Sequence, residues 1–478
     1  MGFGQFARIR YTASMRRLFI FLFTAGIAAA APAGKVFVGF TAANAWETGF
    51  TGRITITNQT SWTIYDWSLE FELGHPIKKI WNGRVASATG KVKVKQGKRI
   101  VLRASAASWE DGDLLPCEKA TIEFIGEGAP PKLPARGKLN GTPIVFNKAS
   151  AAPPPLAPRK ANRWPAQVFA PYVDTTLWPP FDFAAATQKH GIKFYTLAFI
   201  VAKGPNNPAP SWGGYHLVSK RWLLPEINAI RAAGGEVRVS FGGATGTGLA
   251  AACKTPTQLQ AAYQAVINTY GLTHIDFDVE GHWLAEVKSI ERRSRAIAGL
   301  QAQARRAKRL LHIWYTLPVL PSGLTREGLG VLRSALRHRV DIAGVNIMAM
   351  NYGKAQAPKP TTHMGAYAIQ AATSLHAQLK MLHREAGVPK TDAQLWAMVG
   401  LTPMLGHNDV KPETFTLGNA REVLAFARQK KIGLLSCWSA NRDRPLAKPS
   451  ANWASPKHTG IKQEVFGFSK IFRAYGGE

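Results

Sequence analysis

Three acids take every second position of the stretch THIDFDVEG, residues 273–281: Asp276, Asp278 and Glu280, separated by Phe277 and Val279. Carboxyl groups held close together are suited to moving protons onto and off a substrate oxygen, because each raises the pKa of its neighbour and one stays protonated while another is ionised. In an extended strand the side chains alternate, so the three acids point one way and Ile275, Phe277 and Val279 the other, with successive acids about 6–7 Å apart along the strand. Three carboxyls on the inner face of a core are costly unless they share protons or have polar partners, and that cost marks the row as functional. A calcium loop would place an acid at the twelfth position from Asp276, where Val287 stands. Neither a histidine ligand pair nor a phosphate-cradling glycine loop lies nearby. No metal and no cofactor is expected.

Such a row needs a strand that ends at an open face. From about residue 163 onward, short apolar strands (QVFAPYVD, KFYTLAFIVA, EVRVSFGG, HIDFDVEG, LHIWYTLPV, DIAGVNIMAMNYG, WAMVGLTPM, IGLLSCWS) alternate with segments of helical spacing such as PTQLQAAYQAVINTYG. Eight strand–helix pairs predict a (β/α)8 TIM barrel over residues 163–478, with the acids facing the interior and Glu280 at the C-terminal mouth. An open doubly wound sheet is the competing fold, but no GxGxxG follows the first strand.

Ahead of that unit, VFVGF, GRITITN, SWTIYDWSLEFEL, RIVLRAS and ATIEFIG alternate in the manner of strands and predict an all-β sandwich over residues 34–128. Trp67 lies within the alternation and reads as core. Trp46, Trp81 and Trp109 sit among polar and glycine residues, where rings of that size serve better as an exposed stacking platform. Residues 129–162 are rich in Pro, Ala and Lys and predict an interdomain linker, with the apolar PIVFN docking locally. Residues 1–33 carry Arg16 and Arg17, an apolar run from Leu18 too short to span a bilayer, and small residues ending in Ala33: a secretory signal peptide, with an extracellular protein expected.

The whole chain has 478 residues, 46% of them hydrophobic, and 60 Lys and Arg against 29 Asp and Glu give a formal charge of +31. The basic residues are dispersed, without zinc-finger spacing or a compact basic block, which argues against specific nucleic-acid binding and leaves attraction to acidic surfaces. Cys117, Cys253 and Cys437 are too few and too far apart for a disulfide framework. A monomer without a stable membrane anchor is expected.

Two resemblances organise these readings. The first part resembles a family 2 carbohydrate-binding module: its AWETGF opening, its IYDWSL strand, its IWN turn and its late WEDG segment occur in that family's order. The resemblance implies that Trp46, Trp81 and Trp109 form a flat strip for a crystalline polysaccharide, chitin or cellulose. Many members tie their ends with a disulfide, for which this segment has only Cys117. The second part resembles the family 18 glycoside hydrolases, the chitinase family, whose D-G-x-D-x-D-x-E signature is matched by the three acids, with Thr273 and His274 at the leading positions. SFGG at 240–243, MNY at 350–352, GLTPMLGHND and Trp438 fall where that family places its third, sixth, seventh and eighth strands. Asn351 and Gly353 depart from the common M-T-Y-D.

This second resemblance implies a retaining hydrolysis in which the substrate's N-acetyl group is the nucleophile. Glu280 protonates the leaving oxygen and later activates water. Asp278 orients the acetamido N–H, and Asp276 shares a proton with Asp278 and helps keep Glu280 protonated. Tyr352 holds the acetamido oxygen, Trp438 forms an apolar floor and Met350 lines the pocket. Trp178, Trp212, Trp283 and Trp314 read equally as subsites or packing. The short interval between Met404 and Ile432 leaves no room for the inserted domain that deepens the groove in some members, so a shallow, endo-acting cleft is expected. Two rival functions remain at this point: a non-catalytic chitin-binding barrel, and a hydrolase of peptidoglycan or N-glycans.

Overall fold

The computed structural model describes residues 157–446 and 454–476, and parts of 36–148. The predicted signal peptide, Trp109 and Cys117 lie outside the described residues, as does the side chain of Trp81.

The N-terminal part is a sandwich of two sheets. One runs in the order Phe146–Lys148, Val36–Trp46, Gly49–Asn58, Lys119–Glu127, Ile77–Trp81; the other Arg84–Val85, Arg99–Arg103, Ser68–Glu72, Gly137–Leu139, Thr142–Ile144. Alternation places Ile54, Ile56, Ile122, Phe124, Leu69 and Phe71 between the sheets, together with Trp67, as its sequence setting predicted. Gly52 pairs with Phe124 across the strands, and a β-carbon there would meet the Phe124 ring at 2.3 Å, so only glycine leaves room for that ring. Trp46 is 44% exposed at the end of its strand.

The linker is shorter than residues 129–162. Gly137–Leu139, Thr142–Ile144 and Phe146–Lys148 pair into the two sandwich sheets, satisfying backbone groups that a free linker would give to water. Its other end docks on the second unit: Asn162 donates from Nδ2 to the carbonyls of Arg231 and Gly235 and from its backbone N–H to Glu236.

In the second part strand and helix alternate eight times. The parallel sheet runs Val168–Phe169, Leu434–Leu435, Val399–Pro403, Ile342–Ala349, His312–Pro318, His274–Asp278, Glu236–Gly242, Phe194–Gly204, and continues into an antiparallel hairpin, Asn207–Trp212 with His216–Leu217. The helices carry local start and stop signals. Pro256–Tyr270, for example, begins with the Thr255 hydroxyl accepting from the Gln258 N–H and stops at Gly271, φ 61°. No continuous ladder among the described strands closes this sheet on itself. Val168–Phe169 pairs with Leu434–Leu435, whereas Tyr172–Asp174, just beyond Pro171, pairs with Phe194–Gly204. Around Pro171 single backbone bonds still reach both neighbours: the Tyr172 N–H donates to the Cys437 carbonyl and the Thr196 N–H to the Pro171 carbonyl.

The core between sheet and helices contains Ile275, Phe277 and Val279, on the side opposite the acids. Trp212 is fully buried, donating from Nε1 to the Tyr270 hydroxyl at 2.8 Å, and Trp314 lies against Gly344, so both are packing residues and not subsites. Trp178 is 64% exposed and Trp283 half-buried. Cys253 and Cys437 are buried free thiols.

Candidate active site

Strand register brings seven polar side chains together inside the sheet. Asp276 pairs with Ser240 on one side and Trp314 on the other, and Asp278 with Gly242 and Thr316. Asp276 is fully buried and takes three hydroxyl donors: Ser240 at 2.6 Å and Tyr172 at 2.8 Å on Oδ2, and Thr316 at 2.8 Å on Oδ1. Asn346 donates to the hydroxyls of Thr316 and Tyr172, and accepts from the Thr402 hydroxyl at 2.8 Å. A buried carboxyl is tolerated when its lone pairs are filled in this way.

Asp278 differs from Asp276. It is buried, and its Oδ1 has no hydrogen-bond partner among the described residues. Burial raises its pKa well above the ordinary carboxylate range, reinforced by the neighbouring charges of Glu280 and Asp276. Glu280 follows the strand in extended conformation, φ −129° and ψ 165°, and is half-buried. Burial raises its pKa too, while the neighbouring Asp278 carboxyl acts in the opposite direction. Three hydroxyls donate to the Asp276 oxygens, and the charges of both Asp276 and Glu280 act on Asp278. Gly242, at φ 110°, makes this packing possible: a β-carbon there would lie 2.0 Å from the Asp278 carbonyl oxygen.

The other predicted residues surround the same end of the sheet. Met350, half-buried, follows the strand Ile342–Ala349, and Tyr352 comes two residues later with its hydroxyl buried and unpartnered among the described residues. Asn351 between them adopts φ 57°, and this turn is clasped by the hairpin that follows the strand Val399–Pro403. Glu413, 2% exposed, accepts from the N–H groups of Tyr352 at 3.1 Å and Gly353 at 2.6 Å, while Asn351 accepts from the Val410 N–H and donates to Asp409. Trp438 is half-buried, stacked on Phe199 with ring centroids 5.6 Å apart and 5.9 Å from the Tyr172 ring. Of the three tryptophans expected to form the binding strip, only the side chain of Trp46 is described.

Sequence reasoning missed Tyr172, Thr316, Asn346, Thr402 and Glu413. A polar residue inside an apolar strand, such as Asn346 in GVNIMA, was the available signal; Glu413 offered none, because its partners lie about sixty residues away. His274 is also clarified. It starts the strand, at the end remote from Glu280, stacked on His312 with centroids 4.2 Å apart.

Neighbouring acids at the end of a strand in a parallel, helix-flanked sheet, beside an aromatic floor, define a site of glycoside-hydrolase type. Similarity to known proteins makes the assignment specific. Residues 36–142 match the family model described as a cellulose binding domain. The catalytic domain of a hyperthermophilic chitinase from Pyrococcus furiosus is 34% identical, with a TM-score of 0.58 over 66% of this chain and 96% of that one. A probable bifunctional chitinase/lysozyme of Escherichia coli is 40% identical over 325 residues, 66% of this chain, and Endochitinase 11 of Metarhizium anisopliae is 41% identical over 294 residues, 61% of this chain. This chain spans 35% of the length of the first of these two proteins and 55% of the second. The chain belongs to the family 18 glycoside hydrolases, the chitinase family, and carries an N-terminal family 2 carbohydrate-binding module.

Proposed function

We propose that this protein is a secreted, endo-acting chitinase that cleaves β-1,4 linkages between N-acetylglucosamine units with retention, using the substrate's own N-acetyl group as nucleophile. We read Val168–Phe169 and Tyr172–Asp174 as two halves of one strand that completes an eight-stranded (β/α)8 ring, with Glu280 at its mouth.

The placement of Asp278 beside Glu280 on one strand, buried and with its Oδ1 unpartnered among the described residues, carries the mechanistic reading. Glycosidases that use two carboxyls set them on opposite sides of the scissile bond. Carboxyls side by side on one strand approach the substrate from the same side and do not flank an anomeric carbon, so the nucleophile is best supplied by the substrate. Glu280, with its raised pKa, gives its proton to the glycosidic oxygen. The acetamido oxygen then attacks the anomeric carbon, forming the C–O bond of an oxazolinium as the leaving oxygen departs. Asp278, its unpartnered Oδ1 free to accept the acetamido N–H, stabilises the positive charge that develops there. The buried Tyr352 hydroxyl donates to the acetamido oxygen, and Trp438 presents its face to the C–H surface of the sugar. Glu280, ionised by the first step, then takes a proton from the water that opens the ring. Asp276, fixed by three hydroxyls, acts on the pair through its charge.

Glu413→Ala should release the turn that aims Tyr352 and lower kcat/KM on soluble chitooligosaccharides by about 10–10²-fold, the scale of a misplaced catalytic contact. Because both changes act on one contact, combining it with Tyr352→Phe should cost little more than the larger single effect. Full additivity would place Glu413 in a separate role.

The short hairpin Gly406–His407 with Thr414–Phe415 occupies the interval in which a groove-deepening domain would sit, which supports an open, endo-acting cleft. The binding module, whose family model is named for cellulose, would tether the enzyme to solid chitin and raise its effective concentration there. Deleting residues 1–148 should lower activity on crystalline chitin by about tenfold or more while leaving turnover of soluble oligosaccharides unchanged. Equal loss on both would contradict that division. Secretion rests on the basic and apolar pattern of residues 1–33; among the described residues no helix is long and apolar enough to cross a membrane.

The Escherichia coli relative named chitinase/lysozyme, together with the +31 charge, favours a second reading, hydrolysis of peptidoglycan. Product analysis on chitin and on peptidoglycan separates the two. Chitooligosaccharides from chitin, absent with Glu280→Gln, support the first reading, and release of muropeptides alone would replace it with the second.

A further inference from the structure

A cavity of about 870 Å³ lies at the end of the sheet opposite Glu280. Its walls include the first residues of several strands, Val168, His274, His312 and Leu434, and the segment 158–166 that enters the domain. We propose that this cavity binds a small oxyanion carried on a flat apolar body, an aryl or alkyl phosphate or carboxylate, with Arg238 and Trp164 as its buried donors.

Arg238 is 1% exposed. Its guanidinium lies over the Trp314 ring, 5.4 Å from the centroid, and donates once, from Nη2 to the Thr196 hydroxyl at 3.0 Å; its Nε has no acceptor among the described residues. The contrast with Arg231 is direct. That side chain, equally buried, bonds both oxygens of Glu236 and the carbonyls of Arg159, Tyr270 and Gly271. The fold therefore supplies acceptors to one buried guanidinium and withholds a carboxylate from the other, which faces the cavity. Trp164 repeats the pattern: its Nε1 is buried without an acceptor among the described residues, while its ring packs 4.8 Å from that of His274. Two buried donors lacking acceptors around one cavity call for a ligand that brings oxygens.

Charge and shape agree with that ligand. No Asp or Glu occurs among the described residues lining the cavity, while Arg159, Lys160, Arg163 and Arg309 stand exposed at its rim. Dispersed cations of this kind attract an anion and leave close recognition to the buried guanidinium. Trp164 and the stacked His274 and His312 give flat surfaces for an apolar body. Burial pushes the His274 pKa down to about 2, so that ring is a neutral stacking surface near pH 7. The volume falls within the range of small-molecule sites.

Calorimetry on the full chain with phenyl phosphate, benzoate and inorganic phosphate tests the proposal. Phenyl phosphate or benzoate should bind at one site per chain, at least tenfold tighter than inorganic phosphate, and bind Glu280→Gln with wild-type affinity. Trp164→Phe keeps the ring, removes the donor and should weaken binding about tenfold, as expected for one hydrogen bond to a charged group; Arg238→Met should abolish it. If Arg238→Met does not fold, Trp164→Phe decides the question alone. Inorganic phosphate binding as well as phenyl phosphate would mean an adventitious ion only. That result, the absence of saturable binding, or equal affinity in wild type and Trp164→Phe would each overturn the proposal.

Discussion

Glu280→Gln is expected to lower kcat on soluble chitooligosaccharides by about 10³-fold, within the range for loss of a general acid–base group, while KM changes by less than about threefold. Glutamine keeps the shape, so the folded site survives. It cannot give a proton to the leaving oxygen or take one from water. Both steps of the proposed reaction fail together, and no accumulating intermediate should be seen in a single turnover. A burst of the first product from this variant would show that some other group protonates the leaving oxygen.

Asp278→Asn is expected to separate catalysis from stability. Turnover should fall by about 10²–10³-fold, as for loss of one preorganised electrostatic contact, because an amide carries no charge to stabilise the oxazolinium. The fold should gain. Asp278 is buried with one oxygen unpartnered, and its folded-state pKa is raised well above the usual carboxylate value. The folded protein thus holds that proton more tightly than the unfolded chain does. The contribution of this carboxyl to stability is therefore greatest below the ordinary carboxylate pKa and is lost as pH rises toward the raised value. At pH 7 the variant should melt higher than the wild type, by about 2–4 °C for each kcal/mol of relief, and the gap should narrow as pH falls toward 4. Thermal melts at both pH values check this; a wild type more stable than the variant at pH 7 would mean that Asp278 is stabilised by its surroundings.

Much of the catalytic half was legible in the sequence because its signals are local. The eight apolar runs form strands, and the alternation of THIDFDVEG separates Asp276 and Asp278 from Ile275 and Phe277 as expected. What stayed hidden depends on register and distance. Tyr172, Ser240 and Thr316 meet at Asp276 only because their strands align. Glu413 reaches the turn at Tyr352 through a hairpin whose position no local pattern encodes. The linker was drawn too long because strands of three residues flanked by Pro and Gly carry almost no periodicity, yet those at 137–148 find partners in both sandwich sheets.

In the proposed reaction the substrate's acetamido group, and not a second carboxyl, attacks the anomeric carbon. The most direct test follows the anomeric protons of a chitooligosaccharide by NMR during the first minutes of hydrolysis, beside the same oligosaccharide with its cleaved-site sugar N-deacetylated. The account predicts that the new reducing end appears as the β-anomer and then mutarotates, and that the deacetylated substrate is not cleaved. Initial appearance of the α-anomer, or comparable cleavage of the deacetylated substrate, would contradict it.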